Sequence, residues 1–223
     1  MTESLLRPAR TSAAHTGTLV RALRRGPRES QRDFTVLLDV LARPGRIGRL
    51  DVPDGAPAAA VAACGLADVE VPLHVLTGGD PEYDAWAEAA HTATRAPRAA
   101  LSAARCVVAL RPLTAPDVAA LHRGRPLDPE RGARVFAQVD TLADASDGSP
   151  DPAAADALVL ALTGPGVPGE RRIAVRGLAA DVVDALGRAN DGFPCGVDVF
   201  LLARDASVTG LPRTTRVRLV RGV

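Results

Sequence analysis

The chain contains no lysine; all 27 of its basic residues are arginine. A P-loop needs the lysine of GK[ST], pyridoxal-phosphate chemistry needs an amine for its Schiff base, and kinases need a strand lysine. Those mechanisms are excluded in their usual forms. Aromatic residues make up only 3% of the sequence, too few for platforms that stack single-stranded nucleic acid. A net charge of +1 leaves no electrostatic footprint for nucleic acid as a partner. The longest apolar runs, "ALVLAL" (157–162) and "GVDVFLLA" (196–203), are strand-sized and far short of the roughly 20 residues that span a bilayer. A soluble protein without a membrane partner is expected. Cys64, Cys106 and Cys195 are far apart and form no CxxC pair, so neither a disulfide framework nor a zinc knuckle is indicated. They read as packed thiols of a cytoplasmic protein. His15, His74, His91 and His122 do not pair as HxH or HExxH, and no GxSxG is present.

What is present points to one globular domain. Hydrophobic residues make up 47% of 223, enough for a sizeable core. Residues 1–29 differ: six arginines (Arg7, Arg10, Arg21, Arg24, Arg25, Arg28) against two acids (Glu3, Glu29), with no apolar stretch suited to secretion. They are expected to form a flexible or loosely docked extension, with an organelle transit peptide as the alternative. Residues 30–223 are expected to form a single α/β domain.

"SQRD" (30–33) reads as a capping box that opens a helix carrying Phe34, Leu37, Leu38 and Leu41 at helical spacing. "RPG" (43–45) ends it. Strands are expected at 46–52, 71–76, 105–110, 133–139, 155–162, 196–203 and 207–211, and again at the C-terminus. Helices are expected at 58–64, 81–94, 114–122 and 179–189. Residues 140–152 read as an acidic, proline-rich loop. Helices and strands alternate early and strands cluster late. This predicts an α/β sandwich with a mixed sheet, helix-linked first and antiparallel near the C-terminus.

"GPGVPG" (164–169) matches GxGxxG literally. A dinucleotide site needs a helix to begin within the motif; here Pro165 and Pro168 interrupt and "ERRIAV" has strand character. A glycine-rich turn between strands is the better reading, with an NAD-type oxidoreductase as a minor alternative. The amides of Gly164 and Gly166 could still cradle an anion, with Arg171 and Arg172 directly behind. His91 is read as capping the helix that ends near it. Asp198 lies in an apolar strand, where a carboxylate needs a partner. Strand alternation places Arg213 and Thr215 on one face with Val217 and Leu219, and makes Arg213 a candidate partner for Asp198. This is either a partly buried salt bridge or an anion pocket formed by Arg213, Thr214 and Thr215. No catalytic residue is indicated.

Three segments carry a family resemblance: "FTVLLDVLARPGRIGRL" (34–50), "LTGPGVPGERRI" (162–173) and "FPCGVDVFLLARDASVTGLPRTTRVRLV" (193–220). "HTATRAP" (91–97) adds to it. Together they resemble the PhnH family of the bacterial carbon–phosphorus lyase system over residues 30–221, with FPxGVD followed by PRTT as the most specific part. The resemblance implies a fold like the PLP-dependent transferases but without PLP or any other cofactor. It implies a homodimer docked onto a core containing PhnG, PhnI and PhnJ. It further implies support, as a non-catalytic subunit, for transfer of alkylphosphonate to the ribose of ATP with loss of adenine. A stand-alone nucleotide- or phosphonate-binding protein is the alternative.

Overall fold

The computed structural model describes residues 10–146 and 156–220. Much of the expected 140–152 loop and the first nine residues of the basic leader lie outside the described residues. Of the leader's remaining residues, 10–23 form helix α1 (Arg10–Leu23), whose Leu19, Val20 and Leu23 are buried, and the last three begin the next helix. Helix α2 (Pro27–Ala42) starts ahead of the expected capping box. Its first turn is held by Glu29, whose Oε2 accepts from Gly26 N at 2.7 Å. Asp33 does not reach back as a cap; it is buried and accepts from Arg25 Nε at 3.0 Å. The RPG turn ends α2 as its sequence predicts, with Gly45 at φ +79°, a conformation that only glycine adopts readily.

The strand expected at 46–52 shrinks to β1 (Gly48–Arg49). Helix α3 (Ala58–Cys64) and helix α4 (Pro81–Thr94) fall where the sequence places them. Asp80 caps α4 by accepting from Glu82 N at 2.8 Å, the job its short carboxylate suits at a helix start. Helix α5 (Ala115–Ala120) begins with the expected Thr114/Asp117 capping box. The remaining strands are β2 (Leu73–Leu76), β3 (Cys106–Ala109), β4 (Arg134–Gln138), β5 (Thr141–Asp144), β6 (Leu158–Thr163), β7 (Arg171–Arg176), β8 (Asp198–Leu202), β9 (Ser207–Leu211) and β10 (Arg216–Leu219). Helix α6 (Ala180–Ala189) lies between β7 and β8.

The α/β class with a mixed sheet is observed, but the strands divide into two sheets. The first has the order β1-β9-β8-β4-β3-β2. Its β2, β3, β4 and β8 run parallel, and β9 and β1 close it antiparallel. The second is antiparallel, ordered β10-β6-β7-β5. β10 therefore pairs with β6 rather than with the neighbouring C-terminal strands.

The first sheet is buried on both faces, as parallel sheets require. Alternate residues feed two cores. On one side Phe136, Phe200, Leu202 and Val208 pack with α1–α4. On the other, Val135, Ala137, Val199 and Leu201 meet Leu160, Leu162, Ile173 and Val175 of the second sheet, together with Val182 and Leu186 of α6. Phe136 and Phe200 are paired across β4 and β8, with ring centroids 5.1 Å apart and planes 9° from parallel. Such offset pairs add to the area they bury.

The loop "GPGVPG" joins β6 to β7 as an antiparallel connection. β7 begins at Arg171 and the next helix only at Ala180, so no helix N-terminus faces the glycines. The dinucleotide reading fails for that reason, and the NAD-type oxidoreductase with it.

Candidate functional site

Asp198 opens β8, and the chain returns past it in the turn between β9 and β10. Arg213 and Thr214 lie in that turn, not on a strand as alternation suggests. It is closed by Thr215 N donating to Pro212 O at 2.8 Å. Arg213 still meets Asp198, by a route the strand argument did not foresee. Its Nε donates to Asp198 Oδ1 at 3.2 Å and its Nη2 to Oδ2 at 2.7 Å. The backbone N of Arg213 also donates to Oδ1, at 2.9 Å. Nη1 donates to Pro129 O at 2.7 Å and Pro194 O at 3.2 Å.

One guanidinium thus ties together the start of β8, the segment before β4, the Phe193–Pro194 segment, whose peptide is cis, and its own turn. Both side chains are mostly buried. Glycine makes room: a Cβ on Gly132 would lie 3.0 Å from Nη1 and Nη2. A bidentate fork with further acceptors is the arrangement in which a partly buried pair can offset its desolvation.

Beside this knot is a cavity of about 480 Å³. Leu186, Val199, Leu211 and Val217 give it an apolar floor, and Thr214, Arg216 and Asp191 line it too. Phe193 is 71% exposed on its wall. Thr215 is buried against it, and its Oγ1 lacks a hydrogen-bond partner. Pro165 of the glycine loop reaches the same cavity. A Cβ on Gly164 would sit 2.8 Å from Thr214 O, so loop and PRTT turn are in backbone contact.

The expected site residues therefore divide. Arg213, Thr214 and Thr215 line this cavity; Gly164 only abuts it through the backbone of Thr214, and Asp198 joins through Arg213. Gly166 and Arg171 face a second, open cleft of about 600 Å³, shared with Arg43, Arg46 and Asp144. Arg172 faces neither; it projects from the second sheet and donates to Glu170 Oε1 at 2.9 Å. Arg43 and Arg46 were missed from the sequence. The available signal was the pair of arginines flanking Pro44–Gly45, both of which line the same cleft.

Other titratable groups serve the scaffold. Burial pushes the Cys64 and Cys106 thiols up to about 12, so neither is a thiolate at neutral pH. Burial would also raise Asp117, but hydrogen bonds from Arg111 and Thr114 outweigh it and hold the carboxyl below its ordinary value. His91 bonds through Nδ1 to Ala96 O, just beyond the end of α4, at 3.2 Å. Burial lowers its pKa. Among the described residues no helix is long and apolar enough to cross a membrane.

A family model described as "Bacterial phosphonate metabolism protein (PhnH)" matches residues 22–218, from the last turn of α1 into β10. No curated protein matches the chain. On the extent of the family match, the chain belongs to the PhnH family.

Proposed function

We propose that this PhnH-family chain is a non-catalytic subunit of the carbon–phosphorus lyase core complex. In this role it supports the step that joins alkylphosphonate to the ribose of ATP and releases adenine. The observation that carries the reading is the family match across residues 22–218, with its link to phosphonate metabolism. The protein would act in the cytoplasm, as a homodimer docked onto PhnG, PhnI and PhnJ. Its layering is, in this reading, that of a PLP-dependent transferase relative; with no lysine in the chain, no Schiff base to that cofactor can form.

Surface chemistry supports an assembly role. Phe34 and Leu38, one turn apart on α2, are 50% and 55% exposed. Large apolar side chains grouped on a surface are a common mark of an interaction site. The reactive chemistry would then reside in neighbouring chains. Co-expression with PhnG, PhnI and PhnJ followed by gel filtration tests this. Co-elution in a defined complex is expected, and its consistent absence overturns the proposal.

A further inference from the structure

We infer that the cleft between the α2–β1 turn and the β6–β7 turn binds a phosphoryl or phosphonyl oxyanion through Arg43, Arg46 and Arg171. The walls are fixed by close backbone approach. Gly45 and Gly166 have φ of +79° and +81°. A Cβ on Gly45 would lie 2.7 Å from Leu162 Cδ1 and 2.9 Å from Arg171 Cδ, and one on Gly166 would run into Ala42 O. The two turns are thus seated against each other, and the stem of Arg171 packs beneath Gly45. Three arginines from two separate segments of chain line one opening.

Their charge is only partly answered. Arg43 and Arg46 share a single carboxylate: both pair with Asp39, Arg46 at 3.2 Å. Asp144 lines the same cleft. Ser146 holds its carboxyl below the ordinary range, and the nearby Arg171 adds to that effect. Among the described residues, three cations therefore face two anions, and the side chains of Arg43 and Arg46 stay about half exposed. Planar guanidinium forks match tetrahedral oxyanions bidentately.

Asp144 adds selectivity. A carboxylate only accepts hydrogen bonds, so it favours an oxyanion that keeps a proton to donate. A phosphate monoester loses its second proton at about pH 6, and a phosphonate is of the same protonatable kind. Sulfate carries no proton there. The cleft thus suits a singly protonated phosphate or phosphonate, with arginines on the charged oxygens and Asp144 on the P–OH. The choice of phosphonate as a probe rests on the proposed role in phosphonate metabolism; the oxyanion class rests on the cleft alone.

Isothermal titration of the full-length protein near pH 6, with inorganic phosphate, methylphosphonate and sulfate in separate runs, tests this. Phosphate or methylphosphonate binds, and sulfate binds at least about tenfold more weakly, as expected for one lost charge-assisted hydrogen bond. Whichever of the first two binds tighter identifies the phosphoryl or phosphonyl source. Arg46→Ala and Arg171→Gln each weaken binding about tenfold or more. Both retain the wild-type circular dichroism spectrum, and Arg216→Ala, in the other cavity, leaves affinity unchanged. Failure of both phosphorus anions to bind, equal binding of sulfate, or unchanged affinity in both cleft variants overturns the inference. A protein that still co-elutes with its partners yet binds neither phosphorus anion leaves the subunit reading standing and removes only this one.

Discussion

Arg213 lies in the turn that touches the β6–β7 loop at Gly164, Arg171 follows that loop on its other side against Gly45, and the two spend their side chains differently. Arg213 has its Nε, Nη1 and Nη2 engaged by Asp198, Pro129 and Pro194. Arg171 lends its aliphatic stem to Gly45 and lines an open cleft together with Arg43 and Arg46. In sequence both read as arginines beside a glycine- or threonine-rich turn. Their environments teach that motif position does not assign an arginine to fold or to ligand. The accounting of its donors does.

If that contrast is right, the knot should be costly to cut. Asp198→Ala leaves the Arg213 guanidinium mostly buried without its carboxylate and is expected to cost about 3 kcal/mol, at the lower end for a broken buried pair because some exposure remains. Urea unfolding measures it, and a loss below about 1 kcal/mol would erase the distinction between the two sites. The junction joining the regions comes next. Gly164 has φ +129° and touches the PRTT turn, so Gly164→Ala should lose about 2 kcal/mol through backbone strain and collision; thermal unfolding of the variant checks it.

A second closed knot offers an independent comparison. Arg111 donates to both oxygens of Asp117 at 2.7 and 2.8 Å, and Thr114 Oγ1 donates to the same carboxylate at 2.6 Å. Thr114→Ala should cost about 1 kcal/mol, the worth of an N-cap. Because the folded Asp117 pKa lies below its ordinary 3.8, the unfolded chain holds more protons over that interval. The stabilisation is therefore complete above pH 3.8 and lost as pH falls through the lower folded value. Asp117→Asn should flatten that part of the stability–pH curve, read by denaturant midpoints. The smallest effect belongs to the open cleft: Arg46→Ala is expected to change stability by no more than about 0.5 kcal/mol, as for other exposed pairs. A larger loss in the same urea assay would make Arg46 a structural residue like Arg213.

The sequence was most legible where local chemistry dictates structure. α3 and α4 fall at their expected bounds because Pro57 and the Asp80–Pro81 pair mark their starts. The Asp198–Arg213 pairing was readable because a carboxylate in an apolar strand needs a cation. Long-range pairing was not readable. β10 joins β6 in a separate sheet, and nothing in "RVRL" specifies that neighbour over β9. β5 was absorbed into an acidic loop because "TLAD" is short and half exposed, and only its ladder with β7 makes it a strand. The start of α2 was misplaced because Ser30 and Asp33 read as a capping box, whereas Pro27 at N1 and Glu29 accepting from Gly26 N open the helix earlier. Arg43 and Arg46 escaped notice because their meeting with Arg171 depends on two turns distant in sequence packing together.

The wall formed by β4 and β8 has a consequence for how the chain finds its native alignment. Phe136 and Phe200 lie on the helix side, while Val135 and Val199 lie on the side of the second sheet. Sliding either strand by one residue would push an aromatic ring into the compartment sized for valine and pull a valine into the one sized for phenylalanine. Each error is penalised twice, once per compartment. A strand with a single greasy face is proofread by one neighbour; these two are proofread from above and below, which makes the centre of the molecule its least forgiving ruler.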